Sequence, residues 1–209
     1  MYIPKAFEVT DRDTLHAFIE AHSFATLITA FDGEPFATRL PLLLDREGAN
    51  GTLIGHVARA NPHWGCFDGN CNAVAMFDGP HAYISPNWYA TSPAVPTWNY
   101  ASVHAYGPAR PIADAGWLRD FVRRLTERHE GQEPAPPWRM EDLPEAYVQS
   151  MLNGIVGIEI SVTRLEGKFK LSQNRPASDR PRIIAALEGR GDADSKGVAR
   201  LMHERELPD

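Results

Sequence analysis

Three short segments of the 209-residue sequence bring together side chains that could bind a charged or flat ligand. In Gly55-His56-Val57-Ala58-Arg59-Ala60-Asn61-Pro62-His63-Trp64, a strand is expected to deliver Arg59 to a helix start capped by Asn61. Free backbone N–H groups, the helix dipole and a guanidinium would converge there on an anion. A capped helix with a surface arginine accounts for the same residues. In Val95-Pro96-Thr97-Trp98-Asn99-Tyr100, two large aromatics flank Asn99. That grouping suits a flat heteroaromatic ligand needing stacking and edge hydrogen bonds; a core aromatic corner is the alternative. In Gly167-Lys168-Phe169-Lys170-Leu171-Ser172-Gln173-Asn174-Arg175, strand alternation places Lys168, Lys170 and Ser172 on one face, with Phe169 and Leu171 on the other. Two ammonium groups on one face would hold a phosphate or an anionic ring; lysines guarding an edge strand are the alternative.

The common catalytic signatures are absent: no nucleophile elbow, phosphate loop, HExxH or dinucleotide glycine fingerprint occurs. Cys66 and Cys71 are the only cysteines, and no second pair completes a zinc site, so no metal site and two free thiols are expected. His56 and His63 straddle a strand end and a helix start, which is poor ligand geometry, and His104 on a strand reads as a hydrogen-bonded structural residue. No catalytic residue is assigned.

The elements that must position these groups follow from periodicity. Thr10 to His22 reads as a helix with Leu15, Phe18 and Ile19 on one stripe and Thr10 and Asp13 as its capping pair. Phe24 to Ala30 and Pro35 to Leu44 form a hairpin turning at Asp32-Gly33, followed by a strand over Thr52 to Ala58. Asn61-Pro62 starts a short helix through Trp64 and Phe67. Strands are expected over Ala73 to Phe77 and His81 to Ser85, parted by Asp78-Gly79-Pro80. Pro86 to Pro96 is a loop exposing Trp88-Tyr89, and Ser102 to Gly107 a strand. A long helix spans about Asp114 to His129, Gly131 to Pro137 is a linker, and Leu143 to Leu152 is a further helix. Ile155 to Leu165 is a strand continued by Gly167 to Leu171, and two short helices follow Arg180. No helix separates the strands from Phe24 to Thr52, so the pattern predicts a mainly β antiparallel barrel with peripheral helices. Residues 1–175 are expected to form that barrel and residues 176–209 a helical tail packed on it.

Composition narrows the partners. With 21 Lys and Arg against 27 Asp and Glu, the formal net charge of −6 gives no bulk attraction to nucleic acid. The segment from Arg175 onward carries seven basic and seven acidic residues, and its two helices match a helix-turn-helix weakly. A local cationic stripe could still form from Arg119, Arg123 and Arg124 on the long helix. No stretch reaches the roughly 20 apolar residues of a membrane helix and no signal peptide opens the chain, so a cytoplasmic protein without membrane contact is expected.

At Met1-Tyr2-Ile3-Pro4, the Gly55 to Pro62 stretch, Tyr83-Ile84-Ser85-Pro86-Asn87-Trp88-Tyr89, Val95 to Tyr100 and Gly167 to Arg175, the sequence resembles PaiB-type negative transcriptional regulators. These belong to the FMN-binding split-barrel group, and the resemblance runs from Met1 to about Leu187. It implies a split β-barrel, a homodimer and FMN held between subunits. Arg39, His56, Arg59, Asn61, Trp98, Asn99, Lys168, Lys170, Gln173 and Asn174 become the candidate cofactor contacts. Arg39 stands where the family is expected to carry His, which adds a cation to the implied site. Split barrels host several chemistries. A flavin-dependent oxidoreductase, or a haem protein with His56 or His104 as axial ligand, is therefore the alternative, and DNA is a possible partner that the net charge does not support.

Overall fold

A computed structural model describes residues 1–69, 71–131 and 137–205. In chain order the regular elements are β1 (Glu8–Val9), α1 (Arg12–Ala21), β2 (Phe24–Phe31), β3 (Glu34–Pro41), β4 (Leu43–Asp45) and β5 (Thr52–Ala58). Then come β6 (Asn72–Ile84), β7 (Thr97–Ile112), α2 (Ala115–Glu130), α3 (Glu145–Asn153), β8 (Ile155–Ser161), β9 (Arg164–Lys170), α4 (Arg180–Arg190) and α5 (Ala193–Glu204). The strands pair in the order β3-β2-β6-β7-β8-β5-β4, with β9 beside β7 and β1 beside β9. The chain divides into two units: Met1–His22, Phe77–His104 and Leu165–Asp209 form the first, and Ser23–Met76 and Ala105–Arg164 the second. Among the described residues, no helix is long and apolar enough to cross a membrane.

The second unit is built on the expected hairpin. Asp32 and Gly33 both take positive φ, at 50° and 81°, the conformation of a two-residue turn whose twist matches the flanking strands. The register pairs Phe24 with Pro41 and Phe31 with Glu34. The predicted strand from Pro35 to Leu44 is interrupted at Leu42, which is buried and sends its N–H to the Ser23 carbonyl. β5 then pairs antiparallel with β4 on one side and β8 on the other. α2 covers this layer because Gly157 on β8 leaves room for Trp117: a methyl group there would lie 2.4 Å from the indole. Trp117 in turn stacks on Phe121 at 5.4 Å. Leu118, Met140, Val148 and Leu152 form the core between α2 and α3.

In the first unit α1 presents Leu15, Phe18 and Ile19 to the core, as the apolar stripe requires, but Asp11 rather than Thr10 caps it, accepting from the Thr14 N–H at 2.8 Å. β6 is one strand through Asp78-Gly79-Pro80, where the sequence suggested a break. Gly79 is there to admit a ring: a Cβ would sit 2.6 Å from Phe18. β7 runs from Thr97 to Ile112, longer at both ends than the strand expected over Ser102 to Gly107. The expected continuous strand from Ile155 is in fact β8 and β9. The loop before β7 does not expose Tyr89, which is buried with the Arg175 guanidinium 4.2 Å over its ring. Buried Asp179 fastens the loop, accepting from the Ala90 and Thr91 N–H groups, the Thr91 hydroxyl and Arg175. Burial alone would raise its pKa, but these hydrogen bonds hold the carboxyl below its usual range. α4 and α5 meet at Gly191, whose φ of 81° ends α4, and Asp192 caps α5 through the Ser195 N–H.

Candidate functional site

Six of the ten candidate cofactor contacts belong to the first unit and four to the second. In the first, alternation along β7 turns Trp98 and Tyr100 outward and Asn99 inward, while β9 turns Lys168 and Lys170 outward and Phe169 inward. The paired strands therefore gather cations and aromatics on one face. Lys168 Nζ lies 5.3 Å from the Tyr100 ring and 5.7 Å from the Tyr2 ring, and donates to the Tyr2 carbonyl at 3.0 Å. Lys170 donates to the Thr97 hydroxyl and to the Trp98 carbonyl at 2.8 Å. Burial first, and the Lys168 charge second, hold the Lys170 pKa below the usual lysine value. The Trp98 indole stays half exposed, with Tyr83 edge-on at 5.9 Å and His81 at 6.2 Å.

Three candidates of this unit do not join that face in the same way. Asn99 is buried, and its Nδ2 donates to the Ser172 hydroxyl at 2.9 Å. Ser172 does not continue the lysine row: β9 stops at Lys170, and Ser172 has φ 62° and is buried. Gln173 folds back on its own turn, donating to the Phe169 carbonyl and accepting from the Leu171 N–H at 2.6 Å. Asn174 is exposed beyond the turn.

The four candidates of the second unit do not converge either. Arg39 is exposed on β3, with its guanidinium 4.9 Å from the ring of Phe24, itself 57% exposed. His56 packs edge-on against Phe121 at 5.6 Å, and its Nδ1 is buried with no hydrogen-bond partner among the described residues. Arg59 caps α3: its Nε donates to the Asn153 carbonyl at 2.8 Å and its terminal nitrogen to the Ile155 carbonyl at 3.0 Å. The expected helix after Asn61 is a five-residue 3-10 turn, Pro62–Cys66, too short to carry the dipole of an anion site. Arg59 and Asn61 are thus both engaged within the protein, and the expected helix N-terminus between them is absent.

Asn61 instead enters a polar cluster that the sequence did not announce. Its Oδ1 accepts from the His63 N–H at 3.0 Å and its Nδ2 donates to the Thr38 hydroxyl at 3.1 Å. His63 is fully buried, with Nδ1 2.8 Å from Thr38 Oγ1 and Nε2 2.7 Å from Thr29 Oγ1. Burial holds this imidazole below its ordinary pKa. Cys66 completes the cluster, 3.3 Å from the Thr29 hydroxyl. Thr29 and Thr38 sit at inward positions of neighbouring strands, so period-2 alternation identifies their faces but not their common partner.

Residues 1–164 match the family model described as "Putative FMN-binding domain". The chain belongs to this family. It is 37% identical over 206 residues to the protease synthase and sporulation protein PAI 2 of Bacillus subtilis, covering 98% of each chain. It is also 33% identical to a protein of Emericella nidulans over 82% of this chain and 80% of that one. The flavocytochrome Anf3 of Azotobacter vinelandii shares its fold with a TM-score of 0.58 at 16% identity, over 80% of this chain and 72% of that one. An FAD- and haem-binding protein of Mycobacterium smegmatis gives 0.56 at 16% identity, over 78% and 73%. The fold is thus the mainly β split barrel with peripheral helices, and the PaiB resemblance spans the FMN-binding domain and beyond it.

Proposed function

We propose that this protein holds FMN on the outer face of β7 and β9 and acts, as a homodimer, in the negative control of gene expression. The observation that carries this reading is the grouping of Lys168 and Lys170 with Trp98 and Tyr100 on one face in a chain of the FMN-binding family. The donor set fits the group: two ammoniums meet a phosphate or the anionic edge of a flavin, and a half-exposed indole meets a flat ring. FMN supplies redox chemistry at its ring when bound. The chain's own residues bind and orient it, the lysines through charge and Trp98 through stacking.

A homodimer is supported by apolar surface. Phe24 is 57% exposed, Trp98 52%, Tyr83 40% and Tyr2 83%, and such groups in number mark surfaces that meet a partner. Arg39 beside Phe24 would then contribute its cation at a subunit boundary.

Operator contact through the long helix is no part of this reading. Arg119 pairs with Glu145, Arg123 with Asp120 and Glu127, and Arg124 with Asp45. The three arginines diverge toward different partners and leave no free cationic stripe, so control without DNA contact by α2 is favoured.

The test is an absorbance and fluorescence titration of the purified chain with FMN and riboflavin, beside sedimentation. Saturable FMN binding that weakens tenfold or more in a Lys168→Ala/Lys170→Ala variant, on a dimer, supports the reading. Absence of FMN binding, or a monomer at micromolar concentration, refutes it. Steady NAD(P)H turnover would favour the oxidoreductase.

A further inference from the structure

Between α2, α3 and the segment at residues 138–143, the second unit forms a pocket of about 540 Å³ that opens to solvent. This is well within the range of small-molecule sites. His56 supplies its polar group, Val122 and Ile155 line its wall, and Trp138, Tyr147 and Met151 also line it. The last three are 48%, 53% and 52% exposed, unusual for such large apolar groups, and they collect at this one place. Among the described residues, no Asp, Glu, Lys or Arg lines the pocket. A phosphate or carboxylate would lose its hydration there with no cation to replace it. His56, which lines the pocket, can still donate or accept a hydrogen bond through its imidazole. Burial lowers the pKa of this imidazole.

We propose that this cavity binds an uncharged aromatic small molecule carrying one hydroxyl or similar hydrogen-bonding group, with the ring held among Trp138, Tyr147 and Met151 and the polar group met by His56. Aromatic faces and edges, and a thioether against a ring, favour a flat ligand over an aliphatic chain. A histidine among apolar and aromatic lining side chains favours a ligand with one hydrogen-bonding group. The site is independent of the flavin face: it lies wholly in the second unit, and its lining excludes the charge that FMN carries.

The experiment titrates the full chain with 2-naphthol, naphthalene and 2-naphthoate, with and without saturating FMN. Saturable one-to-one binding of 2-naphthol is expected, at least tenfold tighter than 2-naphthoate and undisturbed by FMN. His56→Phe preserves the ring packing against Phe121 and should weaken 2-naphthol about tenfold while leaving naphthalene unchanged. Met151→Arg places a charge at a half-exposed position, so it should fold and abolish binding of both neutral probes. No saturable 2-naphthol binding, preference for 2-naphthoate, displacement by FMN, or unchanged affinity in Met151→Arg overturns the proposal. Loss of dimerisation in Met151→Arg without any probe binding by the parent chain overturns it too, in favour of a second copy seated on the cavity. If His56→Phe fails to fold, Met151→Arg and the naphthol-to-naphthoate ratio still decide.

Discussion

Cys66 and Cys71 hold their sulfur atoms 3.7 Å apart, with the Cys71 thiol directed at Cys66 and the Cys66 thiol at the His63 carbonyl. Burial, then the hydrogen bond and charge of Cys66, push the Cys71 thiol up to about 11. At neutral pH roughly one thiol in 10⁴ is then ionised, and only the thiolate is nucleophilic. Cys71 should therefore react with iodoacetamide far more slowly than a free cysteine at pH 7, and accelerate steadily beyond pH 9. Mass spectrometry of timed labelling reads this directly, and rapid labelling of Cys71 at pH 7 would sink it.

Arg59 was the natural phosphate ligand of the sequence, and its hydrogen bonds assign it another task. Its guanidinium satisfies carbonyls at the C-terminal end of α3, where cations are favoured. Arg59→Ala should lower unfolding free energy by about 1–2 kcal/mol, since hydrogen bonds to charged groups contribute somewhat more than neutral ones. FMN affinity should stay within twofold. Urea unfolding and a flavin titration on the same variant separate these effects; intact stability with lost FMN binding would return Arg59 to the cofactor.

Three imidazoles, His22, His56 and His63, are held below their ordinary pKa, each by burial first. The folded chain thus binds these protons less tightly than the unfolded chain does. Stability they leave intact above about pH 6.5 is lost as pH falls toward their folded pKa values, and levels off below them. The urea midpoint should drop between pH 7.5 and pH 5, and His63→Gln, which still offers hydrogen bonds to Thr29 and Thr38, should flatten that drop. An equal slope in parent and variant would remove His63 from the account.

Lys170 carries the same logic to ligand binding. Its lowered pKa means that it loses its proton at a lower pH than an ordinary lysine, so FMN affinity should fall early on the alkaline side. Replacing Lys168 with Met removes the neighbouring positive charge and should move that alkaline limb upward, even while overall affinity drops. A limb that stays in place would show that another group governs it.

How much of this was legible before folding depends on the range of the signal. The Asp32-Gly33 hairpin, the Leu15–Phe18–Ile19 stripe and the long helix are local: turn chemistry and periodicity fix them within a dozen residues. The outward row of Lys168 and Lys170 was equally readable, because alternation along one strand needs no partner. Two of the misreadings share one cause. Gly79 and Pro80 suggest a break by residue type, yet Gly79 serves Phe18, sixty-one residues earlier in the chain. Tyr89 looked exposed because its cover, Arg175, is distant in sequence.

The sequence by itself determined the strand-rich fold class, the family and the residue types that could meet a flavin, since these rest on local pattern and on motifs kept in order along the chain. Only tertiary structure decided what each polar side chain does. Arg59 goes to the end of α3, Asn99 to Ser172, Asn61 to His63, and the arginines of α2 to separate carboxylates. A hydrogen bond is a short-range, directional choice among whatever groups the fold brings near, and most of those groups come from far along the chain. The same holds for the cavity at His56, which exists because α2 and α3 meet there, and which no spacing in the sequence marks.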